Sequence, residues 1–169
     1  LGQRPSSGWA VAPALEEHIA LASIALELLG QAKLWLEYAG EVEGRKRSAD
    51  DLVFLRDFHE FRNLLMLELP NEDFGRTMMR QYFFDAYQVY WLQPLSSSKN
   101  NRIGEIASKT LKEVSYHHER SRDAVIALGD GTEESHMRMQ QALDYLWPYA
   151  GEVFCDDLID VSMSENGIA

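Results

Sequence analysis

Cysteine is nearly missing from this 169-residue sequence, and Cys155 alone cannot close an intrachain disulfide. A fold of this length must therefore be held by its core, and with no charged-then-apolar leader at its start a reducing cytoplasm is the expected location. Apolar runs long enough to cross a bilayer are also missing, since about 20 residues are needed. The longest, Ile19 to Leu29, is interrupted by Ser23 and Glu27. Basic charge is scarce, and the net charge of −11 opposes binding to nucleic acid, which needs clustered cations. The one dense basic run, Arg45-Lys46-Arg47, lies among loop and cap residues and is expected to be a solvated loop. No Gly-x-Ser-x-Gly elbow and no Gly-rich phosphate loop occur, which removes the hydrolase and nucleotide-binding readings at the motif level. Strand-like alternation, internal repeats and low-complexity tracts are absent as well.

What is present is helical. With 46% hydrophobic and 11% aromatic residues, the chain can bury the core of one domain, taken here as residues 1–169. Pro13 suits the first turn of a helix running to about Glu43, with Gly44 as its stop. In that helix Leu15, Ile19, Ala22, Leu26 and Leu29 follow steps of four and three, while Leu21, Ile24, Ala25 and Leu28 cover adjacent faces. A helix apolar on most sides is expected at the centre of a bundle. Asp50 or Asp51 can cap a second helix reaching about Leu69, and Asn71 a third after Pro70. The third carries Phe74, Met78, Tyr82, Asp85, Val89 and Leu92 along one stripe, which turns Asp85 inward. A fourth runs from about Asn100 to Leu128, where Gly129-Asp130-Gly131 is expected to supply a left-handed stop. Thr132 can begin a fifth, which Pro148 is expected to bend, or at which it starts a new turn. The fold class is an all-α bundle with short connections.

Two polar residues on these helices carry chemical interest. In four-helix di-iron proteins, two helices give one inward carboxylate each and two give Glu-x-x-His, because residues three apart share a face. His117 has Val114 three residues before it, and valine cannot hold iron. One aspartate and one histidine are too few donors for two bridged irons. Asp85 is expected to pair with a nearby cation, Lys33 or His117, and the midsection to be dry and packed. A different arrangement is a mononuclear metal site of Asp85, Glu113 and His117 activating water or oxygen, since Glu113 and His117 are four apart. Glu133 and His136 have Glu-x-x-His spacing but fall in the exposed first turn of a helix. His18, His59 and His118 have no second ligand at a convincing spacing. Trp35, Tyr38, Trp91 and Trp147 are read as core or interface material.

The runs Leu26-Glu-Leu-Leu-Gly-Gln-Ala-Lys33, Arg80-Gln-Tyr-Phe-Phe-Asp-Ala-Tyr87 and Leu111-Lys-Glu-Val-Ser-Tyr-His117 resemble the C subunits of bacterial phenylacetyl-CoA epoxidases. So does the ending Ile159-Asp-Val-Ser-Met-Ser-Glu-Asn-Gly-Ile-Ala169. The resemblance implies a ferritin-like four-helix bundle with additional helices, longer at both ends than this chain, and a degenerate di-iron site. It places the second-helix ligands over Leu29 and Ala32, the third-helix carboxylate on Asp85, and the last Glu-x-x-His on Val114 and His117. The first-helix glutamate would precede Leu1. It further implies no catalytic, cofactor-binding or metal-ligating residue here, but a structural component pairing with the homologous catalytic oxygenase chain, the A component, and with other members of the epoxidase complex. The di-iron centre would then sit in that catalytic partner, and NADPH, FAD and iron–sulfur chemistry in a separate reductase.

Overall fold

The computed structural model describes residues 14–156 and 158–168. Pro13, read as part of a first helical turn, lies outside the described residues. Helix α1 spans Leu15–Glu43 and ends at Gly44, whose φ of 70° is the left-handed conformation that the absence of a Cβ makes cheap. Helix α2 is short, Ala49–Phe54. A 3-10 turn at Phe58–Glu60 and a single helical turn, α3, at Leu65–Glu68 follow. Then come α4, Phe74–Leu95, α5, Asn101–Gly129, and α6, Glu133–Ala150. A second 3-10 turn, Gly151–Phe154, leads to α7, Leu158–Glu165. No strand occurs among the described residues.

The continuous helix expected from Asp50 to Leu69 is broken into pieces, and local polar groups explain the break. Ser48, not Asp50 or Asp51, is the N-cap of α2, and Asp51 completes a reciprocal capping box from inside the first turn. The Glu60 carboxylate then accepts the Asp57 backbone N–H, and the Asn63 side chain accepts that of Leu64. Such bonds offer the backbone an alternative to a continuing helix. Asp73, not Asn71, caps α4 by accepting the Arg76 N–H at 2.8 Å. Asn71 instead accepts from Arg80, whose guanidinium is fully buried and also donates to the Leu69 carbonyl.

Asn100 caps α5 through two backbone N–H groups, and Thr132 caps α6 through Ser135. The left-handed stop expected at Gly129 does not form. That glycine ends α5 without a positive φ, and Asp130 follows as the cap. Pro94 and Pro148 both lie inside the last turns of their helices, where each removes one backbone donor but only one or two helical residues follow it.

Helices α4 and α5 pack along their lengths and α6 lies across both, giving two apolar clusters. One joins Met66, Met79, Met139, Ala142 and Leu146. The other joins Leu92, Leu95, Ile103, Ala107 and Val114, with Trp35 and Tyr38 of α1 against it.

The position of α1 corrects the sequence reading. Its buried face is Leu21, Ile24, Ala25, Leu28 and Gln31, whereas Leu15, Ile19, Leu26 and Leu29 are exposed. Among the described elements only α2 and α5 pack extensively on it, so it stands at the edge of the bundle. By length and composition it is also the one described helix able to cross a bilayer. Two polar residues in its middle, Glu27 and Gln31, bond to α5.

Candidate functional site

Between the two apolar clusters the bundle carries a band of buried polar side chains. On α5, Thr110, Val114, His117 and Ser121 follow steps of four, three and four, and all four are buried. That stripe faces Gln81 and Asp85 of α4, four apart on one helical face and also buried. From α1 come the buried Gln31 and, four residues before it, the half-exposed Glu27.

Asp85 is fully shielded from water. Gln81 Nε2 donates to its Oδ1 at 2.6 Å, and Ser121 Oγ donates to its Oδ2 at 2.9 Å. Burial raises its pKa to about 7, against the opposing pull of the Ser121 and Gln81 hydrogen bonds and the Arg120 charge. Neither cation expected beside it is its hydrogen-bond partner. Lys33 is exposed and faces Glu37, and His117 Nε2 lies 2.5 Å from Glu27 Oε2. The other ring nitrogen of His117 is buried without a partner, as is Thr110 Oγ1. One turn away, Gln31 Nε2 donates to Glu113 Oε2 at 3.0 Å. Arg120 donates to Glu17, a further tie between α5 and α1.

Of the five positions singled out from the sequence, the fold brings Asp85, Val114 and His117 to the midsection, each wholly buried. It does not bring Leu29 or Ala32 there. Leu29 is 51% exposed and Ala32 is exposed, and Leu28 and Gln31 hold the inward places on α1. The register taken by resemblance is thus displaced by one residue relative to the buried face. Nor is the centre dry hydrocarbon, because only Val114 among the three apolar replacements fills it. Gln81, Ser121, Glu27 and Gln31 escaped the sequence reading. Their common signal was a polar residue four from a partner on an otherwise apolar face: Gln81 before Asp85, Ser121 after His117, and Glu27 before Gln31.

This donor set does not suit a carboxylate-bridged pair of metals. The inward residues at this level of α1 are a leucine and an amide, and Val114 stands where a glutamate would be needed. Among the described residues no three of His, Cys, Asp and Glu converge on one point. The set Asp85, Glu113 and His117 is likewise not assembled, since each is bonded to a different neighbour. Glu133 lies in the exposed first turn of α6, and His136 Nδ1 bonds the Gly129 carbonyl.

The described residues form an all-helical bundle with a polar midsection, and the sequence comparisons identify its family. The chain matches the family described as Phenylacetic acid catabolic protein over residues 1–169 and belongs to that family. Among its relatives is the C subunit of the 1,2-phenylacetyl-CoA epoxidase of Escherichia coli (strain K12). The two are 44% identical over 169 residues, which is 100% of this chain and 68% of the relative.

Proposed function

We propose that this chain is a non-catalytic, structural subunit of a phenylacetyl-CoA 1,2-epoxidase, a multicomponent monooxygenase of aerobic phenylacetate breakdown in the cytoplasm. In this reading it pairs with and stabilises the homologous catalytic chain that holds the di-iron centre. NADPH supplies electrons through a separate reductase containing FAD and an iron–sulfur cluster. The substrate is an aromatic acyl-CoA, and no residue of this chain touches it. The observation that carries the proposal is Val114, wholly buried three residues before His117. A carboxylate there is what a Glu-x-x-His ligand pair would require. The many large apolar side chains left exposed also favour a component of an assembly.

Native mass spectrometry and metal analysis of the co-expressed subunits test the proposal. A stoichiometric complex is expected, with iron confined to the catalytic partner and no epoxidation by this chain alone. Two irons per purified chain, or turnover of phenylacetyl-CoA without a partner, would overturn it.

A further inference from the structure

Where α4 gives way to α5, an open groove of about 610 Å3 follows the first turns of α5. Asn101, Gly104, Glu105, Ser108, Lys109 and Lys112 succeed one another in steps of three and one, which keeps them on one helical face. That face is about 16 Å long at the rise of an α-helix. Ser96 and Ser98 of the preceding turn complete the lining.

The groove offers donors in excess of acceptors. Lys109 and Lys112 are exposed and have no ion-pair partner among the described residues, and the Asn101 and Ser108 side chains make no hydrogen bond there. Ser98 Oγ accepts the Asn100 backbone N–H at 3.2 Å and keeps its own proton to give. The one carboxylate in the lining, Glu105, lies 3.5 Å from Arg102 and leaves Lys109, one turn on, unpaired. The first N–H groups of α5 add nothing, because Asn100 Oδ1 already accepts from Arg102 and Ile103. An ammonium group donates and never accepts, so the group that completes this lining is one that only accepts, a carboxylate or a phosphate. A single small anion gains little from exposed lysines in water. A segment with several carboxylates, on a partner already held elsewhere, meets both cations together. The chain carries a net charge of −11, so most of its surface repels such a segment and this groove decides where it lands.

We propose that this groove seats an acidic segment of another subunit of the same epoxidase, whose Asp or Glu carboxylates lie against Lys109 and Lys112 and accept from Ser98, Asn101 and Ser108. The inference rests on the functional reading above and adds to it where a contact is made and by what chemistry.

The test uses the full-length protein recombined with the other epoxidase subunits. The double change Lys109→Gln with Lys112→Gln is compared with Lys109→Arg with Lys112→Arg and with the unmodified chain. The glutamine pair should weaken the complex by about 10-fold at low salt, chiefly by slowing association, and by much less at high salt. The arginine pair, which keeps both charges, should restore it. The Tm of the isolated protein should move by less than about 2 °C in either case, because both side chains are exposed. Equal affinity of the glutamine pair and the unmodified chain at every salt concentration would overturn the groove assignment while leaving the functional reading intact. Titration with inorganic phosphate supplies a second arm: saturable binding to the unmodified chain that the glutamine pair loses would give the groove to a phosphate ligand and overturn the carboxylate segment. Self-association lost in the glutamine pair would give it to a second copy and overturn it likewise. Failure of the unmodified protein to bind any other member of the epoxidase would overturn the functional reading and the groove's occupant with it.

Discussion

Replacing Asp85 with asparagine should make the protein more stable, and increasingly so as pH rises. The carboxyl sits in the folded chain with a pKa of about 7, against 3.8 in its ordinary state, because burial penalises the anion. Between those two values the folded state holds a proton that the unfolded state has released. The stability this group contributes is fully present below pH 3.8 and is lost as pH rises through about 7. A rise of this size corresponds to about 4 kcal/mol at alkaline pH, as an order of magnitude. Asparagine keeps the shape and never ionises. Its oxygen can accept from Gln81, and its amide can donate to Ser121 Oγ, which already has the His118 carbonyl within reach at 3.2 Å.

The quantity to measure is the urea unfolding free energy of Asp85→Asn minus that of the unmodified chain, across a pH series. It should grow by about 2–3 kcal/mol between pH 5 and pH 8.5, with nearly all of the change below about pH 7.5. A difference that is flat with pH would refute the reasoning. So would an asparagine variant that loses stability in alkali, since it would mean that the anion is held by a favourable charge partner.

The remaining predictions concern packing. Val114→Glu, which restores the Glu-x-x-His spacing, should cost more than about 3 kcal/mol in denaturant unfolding, because it puts a charge into a site with no access to water. It should also bind no iron in a metal assay of the purified variant, since α1 still presents Leu28 and Gln31. Arg80→Met should cost about 2–4 kcal/mol, leaving the Leu69 carbonyl and Asn71 without their buried donor. Gly40→Ala should destabilise by about 1–3 kcal/mol, because its Cβ would lie 2.3 Å from the Arg47 carbonyl oxygen. Gly30→Ala, with open space around it in the same helix, should stabilise by about 0.5–1 kcal/mol. Thermal denaturation of the two variants side by side checks both signs.

The helical class and the ends of the long helices were legible because local chemistry sets them: Gly44 turning left-handed, Asn100 and Thr132 accepting the first free N–H groups. Where local bonds competed with periodicity, as at Ser48, Asp57 and Asn63, the pattern read as one helix and the chain folded as several turns. The facing of α1 was illegible for a different reason. A helix apolar on most sides carries little periodic information about which side is covered, and the choice falls to whatever packs on it. The deciding residues were the polar ones. Glu27 and Gln31 point to α5, and the residues beside them, Leu28 and not Leu29, go inward.

Those same polar residues explain why the midsection is not hydrocarbon throughout. A buried polar network adds little net stability over well-packed apolar groups, and its best-attested use is to fix register. Helices α1 and α5 are tied by Glu27 to His117 and by Gln31 to Glu113, contacts that run in opposite directions along the two helices, each four residues from the next. Sliding α1 by one turn one way sets Glu27 against Glu113, two carboxylates facing each other. Sliding it the other way brings Gln31 to His117 and Glu27 to Ser121, and leaves Glu113 without its amide donor. The apolar face, with leucine, isoleucine and alanine at nearly every step, would tolerate either slip. Discrimination between registers thus falls to polar side chains, these four together with Glu17 and Arg120, which act as a lock between the two helices.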